Sequence, residues 1–236
     1  MTTIIDTFIA PPCTDSVEIL YQDETLLVVN KPSGLLSLSG KNPQNWDSLH
    51  YRLVQDFPGC TLVHRLDFGT SGLLLVALNK EVNAALCQQF SQRRVHKTYH
   101  ALLCGQLPTQ SGIMDYPIAK DPAHFPRMVI DTSTGKPSQS HYQVERHTNY
   151  RLPNGRIIPV TQVKLSPLTG RTHQLRIHCQ HFGYPILGCD LYGGRVDSEP
   201  GPYPRLMLHA SSLSFYHPVS HETMTVHSPP PFQVDC

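Results

Sequence analysis

Seven consecutive residues, Gly72-Leu73-Leu74-Leu75-Val76-Ala77-Leu78, carry no polar side chain, and no other stretch constrains the fold as tightly. The run is too short to cross a bilayer, which takes roughly 18 apolar residues, and it lacks the alternation of a half-exposed strand, so it can only be buried. We read it as a strand inside a core. The chain has the material for one: 236 residues, 39% of them hydrophobic and 16% charged, enough for one larger domain or two closely packed halves. The N-terminus, MTTIIDTFIAPPC, has no basic segment before its apolar residues and carries Asp6 among them, so it does not read as a signal peptide. A cytoplasmic address follows by default.

The pattern on either side of this strand predicts the rest of the body. Residues 1–16 read as a loose arm, residues 17–228 as the folded body and residues 229–236 as a tail opened by Pro229-Pro230-Pro231. Residues 17–21 and 26–30 form a hairpin around Gln22-Asp23-Glu24, and Lys31-Pro32-Ser33-Gly34 ends its second strand in a tight turn. A short helix is expected over 47–56 and a strand over 61–64. An amphipathic helix follows residue 79, with Asn79 as N-cap and Val82, Ala85, Leu86 and Phe90 on one face. The segment 97–104 alternates as a strand. Residues 107–135, rich in Pro, Gly and Asp, read as loop with at most one short strand. Strands are expected at 141–146 and 160–165 around an Asn154-Gly155 turn, then a helix over 173–182 with Thr172 as N-cap, then strands within 205–216 and at 224–226. Many irregularly spaced strands and few helices predict an α+β fold on a central, mostly antiparallel mixed sheet.

Several function classes are disfavoured. The seven cysteines are odd in number and scattered, with no CxxC pair, and read as reduced thiols. The cluster His173, His178, Cys179 and His181 suggests a metal, but no HExxH motif or cysteine-rich partner supports it. There is no glycine-rich phosphate loop, and Ser71 lies in TSG and not in the GxSxG of a hydrolase elbow. The net charge of +1 does not mark a polyanion-binding chain by itself. Cations do gather locally, at Arg93, Arg94, His96 and Lys97 and at Arg171, His173, Arg176 and His178.

The stretch that leads into the apolar strand, VHRLDFGTSG (63–72), carries the chemistry. Asp67 stands on a turn beside glycine and small residues, and Arg65, two positions earlier on an extended segment, points to the same side. A carboxylate there can serve as nucleophile, as general acid or base, or as a partner to an arginine or to its own turn amides. Spacing alone leaves these readings open.

HRLDFGTSG (64–72) resembles the HRLDxxTSG signature of the RluA family of RNA pseudouridine synthases. The resemblance covers most of the chain: NKPSGLLS (30–37), HKTYHALLCG (96–105), LTGRTHQLRIH (168–178), GYPILGCDLYG (183–193) and RLMLHA (205–210) follow in the family's order. It implies that Asp67 is the catalytic aspartate, acting on a target uridine whose base is released, rotated and rejoined through C5; the first attack falls at C1′, at C6 or on a glycal route. It implies that Arg65 helps extrude the base, because a planar cation offsets part of the cost of unstacking, roughly a few kcal/mol. Tyr99 matches the tyrosine that packs on the flipped uracil, and Arg176 the arginine that pairs with the aspartate and keeps it ionised. The resemblance implies no cofactor and no metal, and a substrate that is RNA, a stem-loop of tRNA, of 23S rRNA or of both. No membrane and no obligatory protein partner is evident.

Two departures stand out. Many members carry an N-terminal S4-type RNA-binding domain, and here the motifs start so early that no room is left for one; RNA is then held by the catalytic domain through the basic clusters, Arg171 and Lys31 among them. The family often has His and Asp where this chain has Tyr184 and Cys189, with Asp190 one position later. Two other classes compete, a non-catalytic RNA-binding protein of the same fold and a carboxylate hydrolase acting on nucleosides or sugars.

Overall fold

The structure is a computed structural model and describes residues 8–193 and 205–232. The chain divides into two compact units, one built from the residues up to Val95 with Leu213–Ser228, the other from His96–Ser212 with the residues after Ser228.

In the first unit β1 (Glu18–Gln22) and β2 (Leu26–Lys31) form the expected hairpin, followed by helix α1 (Leu49–Asp56), the two-residue strand β3 (Thr61–Leu62), β4 (Ser71–Ala77) and helix α2 (Lys80–Ser91). All of the apolar run but Leu78 lies in β4, which is buried at every position. It lies antiparallel to β2, from Leu26 opposite Ala77 to Lys31 opposite Gly72. The alternate residues Leu73, Leu75 and Ala77 form one core cluster with Leu26 and Val28 and with Val82 and Leu86 of α2. Burying each such leucine stabilises the unit by about 1.5–3 kcal/mol, which is why a strand without a polar residue sits here. Asn79 caps α2 as predicted, its side chain accepting from Val82 N at 2.9 Å.

The arm expected over 1–16 is not loose over its described part. Arg52 of α1 donates to the carbonyls of Cys13 (2.5 Å) and Asp15 (2.7 Å), and Asn45 bonds both Phe8 O (2.7 Å) and Ala10 N (2.8 Å). Residues 1–7 of the expected arm lie outside the described residues. The sequence lacks periodicity there because the anchoring is by backbone groups, which leave no side-chain pattern.

The second unit holds β5 (His96–Cys104), β6 (Ser111–Asp115), β7 (Ile118–Lys120), β8 (Met128–Ile130), β9 (Gln139–Arg151), β10 (Ile157–Pro167), helix α3 (Gln174–His181) and β11 (Leu208–Tyr216). Its strands order β11-β5-β10-β9-β6, with Tyr99 of β5 opposite Leu165 of β10. The last four residues of β11 belong to the first unit, where the order is β1-β2-β4-β11 and where β12 (Thr223–His227) pairs with β11. The seven strand pairs whose register is described are antiparallel, and an isolated bridge between Leu36 and Ser48 is parallel, within the expected α+β class.

Two expectations fail in this unit. Residues 107–135 contain three strands, β6 to β8, where at most one was expected. β7 and β8 have three residues each and pair with each other, with one further bridge from Ile118 to Lys136, so they offer no periodicity to read. Their loops are held by polar turn chemistry: Asp131 Oδ1 accepts from Ser133 N (2.8 Å), Thr134 N (3.2 Å) and Ser133 Oγ (2.6 Å). Thr172 is not the cap of α3 either. The N-cap is His173, in the left-handed region at φ 55, with no side-chain cap bond. Gln174 curls back instead, its Oε1 accepting from Arg171 N (3.0 Å) and Thr169 Oγ1 (2.7 Å). Of the expected tail, Phe232 packs on the cluster of Leu102, Ile158, Val160 and Leu187, and residues 233–236 lie outside the described residues. Among the described residues no helix is long and apolar enough to cross a membrane.

Candidate active site

Asp67 opens a β-turn, Asp67-Phe68-Gly69-Thr70, closed by Thr70 N donating to Asp67 O at 3.1 Å. Aspartate is a favoured first residue of such turns. Asp67 is half-buried, between buried Leu66 and half-buried Phe68, and Arg65 is exposed.

What distinguishes this turn from an ordinary surface loop is how its backbone is gripped. Ser37 Oγ donates to Leu66 O (2.7 Å) and accepts from Leu66 N (3.1 Å), immediately before Asp67. Immediately after it, Phe68 O accepts from Gly34 N (2.9 Å) and Lys31 Nζ (3.3 Å), and Gly69 O accepts from Ser33 Oγ at 2.6 Å. Phe8 packs edge-on against Phe68, with ring centroids 5.4 Å apart. The segments 30–37 and 64–72 are therefore one structure: the first is a clamp on the backbone either side of the carboxylate. Gly34 adopts φ +78, a conformation that costs a side-chain-bearing residue energy, and this brings its N–H onto Phe68 O.

Lys31 is part of this clamp and not of an RNA-facing surface. Its side chain is fully buried, the ammonium donating to Pro32 O (2.8 Å), Leu35 O (2.7 Å) and Phe68 O (3.3 Å). An ammonium removed from water is costly unless its N–H groups are satisfied, and three carbonyls match its three donors. It cannot reach a phosphate from there, which corrects its expected place among the RNA-binding residues.

Tyr99, Arg171 and Arg176 belong to the second unit. Tyr99 is buried near the start of β5. Arg171 is exposed, its guanidinium donating to Pro137 O at 3.3 and 3.4 Å. Arg176, in the first half of α3, is 4% exposed. Its Nη2 pairs with Asp190, its Nε donates to Cys189 Sγ at 3.4 Å, and its guanidinium lies over the Tyr192 ring, 5.4 Å from the centroid. Cys189, one of the two positions at which the chain departs from the usual family pattern, and Asp190 beside it both serve this one arginine.

The second basic cluster is mostly interior. His178 is fully buried, with Nδ1 bonded to Ser140 Oγ (3.0 Å) and Nε2 to Tyr116 O (2.9 Å); burial pushes its pKa down, against the raising effect of the Tyr116 carbonyl. Both ring nitrogens are occupied by protein groups, so His178 is a packing histidine and not a metal ligand. Among the described residues no group of three or more His, Cys, Asp and Glu side chains could hold a metal ion. Burial likewise pushes the Cys179 thiol up, and the Cys104 thiol to about 11, each with a further push from nearby Cys189. Of the basic residues singled out above, Arg65, Arg93, Arg94, His96 and Arg171 are exposed, whereas Lys97 is half-buried and desolvation lowers its pKa.

The model of the RNA pseudouridylate synthase family matches residues 25–181, a span that contains the clamp, the Asp67 turn, Tyr99 and Arg176. The chain belongs to this family. It is an RNA pseudouridine synthase, an isomerase. It is 42% identical over 228 residues to the dual-specificity RNA pseudouridine synthase RluA of Vibrio vulnificus, covering 95% of this chain and 88% of that one. The same-named protein of Escherichia coli is 39% identical over 222 residues, covering 94% and 97%. Among solved structures, human RNA pseudouridylate synthase domain containing 1 superposes with a TM-score of 0.76 at 37% identity, covering 94% of this chain and 87% of that one.

For a pseudouridine synthase, the clamp is the part of the site that sequence reading missed. NKPSGLLS was recognised as a motif, but its serines show no chemistry until Ser33 and Ser37 are seen on the backbone around Asp67. Tyr192 and Asp190 were missed for a similar reason: each acts on Arg176 from more than a helical turn away in sequence.

Proposed function

We propose that this synthase isomerises particular uridines in stem-loops of both tRNA and 23S rRNA, with Asp67 as the attacking carboxylate. The observation that carries the substrate reading is that the relatives named dual-specificity match nearly the whole chain at about two residues in five. What supports Asp67 is the clamp, which fixes the backbone on both sides of one half-buried carboxylate with hydrogen bonds from Ser33, Gly34, Ser37 and Lys31. A nucleophile held in one geometry gains from proximity and orientation, and a 1 Å displacement can cost about 100-fold in rate.

The chemistry then runs as follows. The C1′–N1 bond of the uridine breaks while Asp67 takes up the electron deficiency, by attack at C1′ or C6 or by assisting a glycal route. The released base turns, C5 bonds to C1′ as any bond from Asp67 to C1′ or C6 breaks and frees the carboxylate, the C5 proton leaves and N1 gains a proton. Nothing is oxidised or hydrolysed overall. Arg65, exposed and two residues before Asp67, takes the place of the extruded base; Tyr99 packs on the uracil; Arg176 favours the ionised carboxylate. Arg171 and the exposed cations at 93, 94 and 96 hold the phosphates. We place the enzyme in the cytoplasm, with its RNA substrates.

The test is to incubate the protein with total tRNA and 23S rRNA from cells that lack it and to map pseudouridine by chemical labelling. New pseudouridine in both RNAs is expected. New sites in one RNA alone would remove the dual reading. Released uracil without pseudouridine would mean a hydrolase, and RNA binding with neither product would mean a binding protein of this fold.

A further inference from the structure

The loop after α3 ends on a tyrosine to which the proposed mechanism gives no role. Tyr192 is 3% exposed, and its hydroxyl joins two elements. Met128 N, at the start of β8, donates to it at 2.7 Å, and His173 Nδ1, at the cap of α3, lies 2.9 Å away. The phenol oxygen accepts from Met128 N and shares a second hydrogen bond with His173 Nδ1, in which either group can donate. The two rings meet edge-on, 5.6 Å apart. The Tyr192 ring faces two guanidiniums, Arg176 at 5.4 Å and Arg127 at 5.7 Å.

His173 is an unusual cap. It has the left-handed backbone, φ 55, without the side-chain bond that normally closes the first turn of a helix, and it stands three residues before Arg176. Its imidazole is turned to Tyr192 instead. The first turn of α3 is thus set by Gln174 from one side and by the Tyr192–His173 bond from the other, and the same tyrosine braces the arginine one turn on.

We infer that Tyr192 and His173 form a positioning pair for Arg176: the ring fixes the guanidinium through its face, and the hydroxyl fixes the helix cap that carries it. The inference rests on the reading of Arg176 as the partner of the catalytic carboxylate. A positioning pair of this kind acts on the rate of the chemical step and not on RNA affinity.

The test uses the full chain and a tRNA substrate. Tyr192→Phe keeps the ring and removes the hydroxyl; His173→Asn removes the imidazole but keeps a residue that tolerates the left-handed backbone. Each is expected to lower kcat about tenfold with KM unchanged within about twofold, the pattern of an interaction made in the transition state. Because both act through one bond, the double variant is expected to lose about tenfold and not about a hundredfold. Thermal melts identify any variant that fails to fold, in which case the other single variant carries the test. Wild-type kcat in a folded single variant, a rise in KM alone, or a hundredfold loss in the double variant would each overturn the pairing. Arg176→Lys, measured beside them, tests the underlying reading separately: a wild-type kcat there would remove the role of Arg176, whatever Tyr192→Phe does.

Discussion

Ser37 contributes one hydroxyl, and that hydroxyl spans the peptide before the proposed nucleophile, donating to Leu66 O and accepting from Leu66 N. Replacing it with alanine leaves both buried backbone groups short of a partner, at a cost of about 1–3 kcal/mol. Ser37→Ala is therefore expected to unfold at lower urea and, because the same bonds fix the Asp67 backbone, to lose kcat by a larger factor than a distant core change of equal destabilisation; denaturation and turnover measured on the same sample check this. Lys31 shows why such residues are hard to read from a sequence. A lysine at the end of a strand reads as a solvated cation, and only the three carbonyls around its buried ammonium reveal that its charge is used inward. Asp67 itself was legible because a motif surrounds it.

Elements were legible wherever a hydrophobic period was long enough to declare itself. β4 and α2 bury the residues that the pattern picked, Val82 and Leu86 foremost, and Asn79 caps the helix. β7 and β8 were not legible, since strands of three residues are too short for apolar alternation to declare itself. The hairpin of β1 and β2 has a related device. Asp23 sits in its turn, 2.8 Å from His217 Nε2 in the turn after β11. Val219 N and Ser220 N donate to His217 Nδ1, so the neutral imidazole donates its Nε2 proton to the carboxylate. Desolvation pushes the Asp23 pKa up, but bonds from Thr25 N, Tyr21 OH, Thr25 Oγ1 and Leu26 N outweigh it and hold the carboxyl well below its ordinary value of 3.8. A carboxylate depressed in the folded state contributes stability that is present above the unfolded pKa and lost as pH falls through the folded one. Asp23→Ala should thus be less stable than the wild type at pH 7, and the gap should narrow as pH drops below about 4. Melting curves across that range decide it; a gap that stays constant down to pH 2 would show that the charge of Asp23 does not matter.

At the scale of the whole molecule, fewer of the clustered basic residues are exposed than the sequence suggests. Of the two clusters, His178 and Arg176 are buried and Lys97 and His173 half-buried, leaving Arg93, Arg94, His96 and Arg171 exposed; outside them Lys31 is enclosed and Arg65 exposed. Phosphate contacts by such residues release counterions, so affinity should fall as salt rises, by about 0.7 to 0.9 in log Kd per contact for each unit of log salt. The double change Arg93→Gln with Arg94→Gln is expected to weaken binding of unrelated RNA stem-loops alike and to flatten that slope by about 1 to 2. A loss confined to one RNA sequence would make these arginines base readers instead. The α+β class followed from the sequence, from many irregularly spaced strands and few helices; the order of strands in the sheet did not, and no linker composition marks the unit boundary at Val95.

The claim on which the mechanism depends is that Asp67 performs the chemistry. Forming the C1′–C5 bond expels the C5 proton, so RNA labelled with tritium at uridine C5 reports each turnover as tritium in water. We would compare wild type with Asp67→Asn, and measure RNA binding of both. The account predicts stoichiometric release by the wild type and none by Asp67→Asn while RNA binding persists. Release by Asp67→Asn at the wild-type rate would contradict it and return Asp67 to the role of a turn residue.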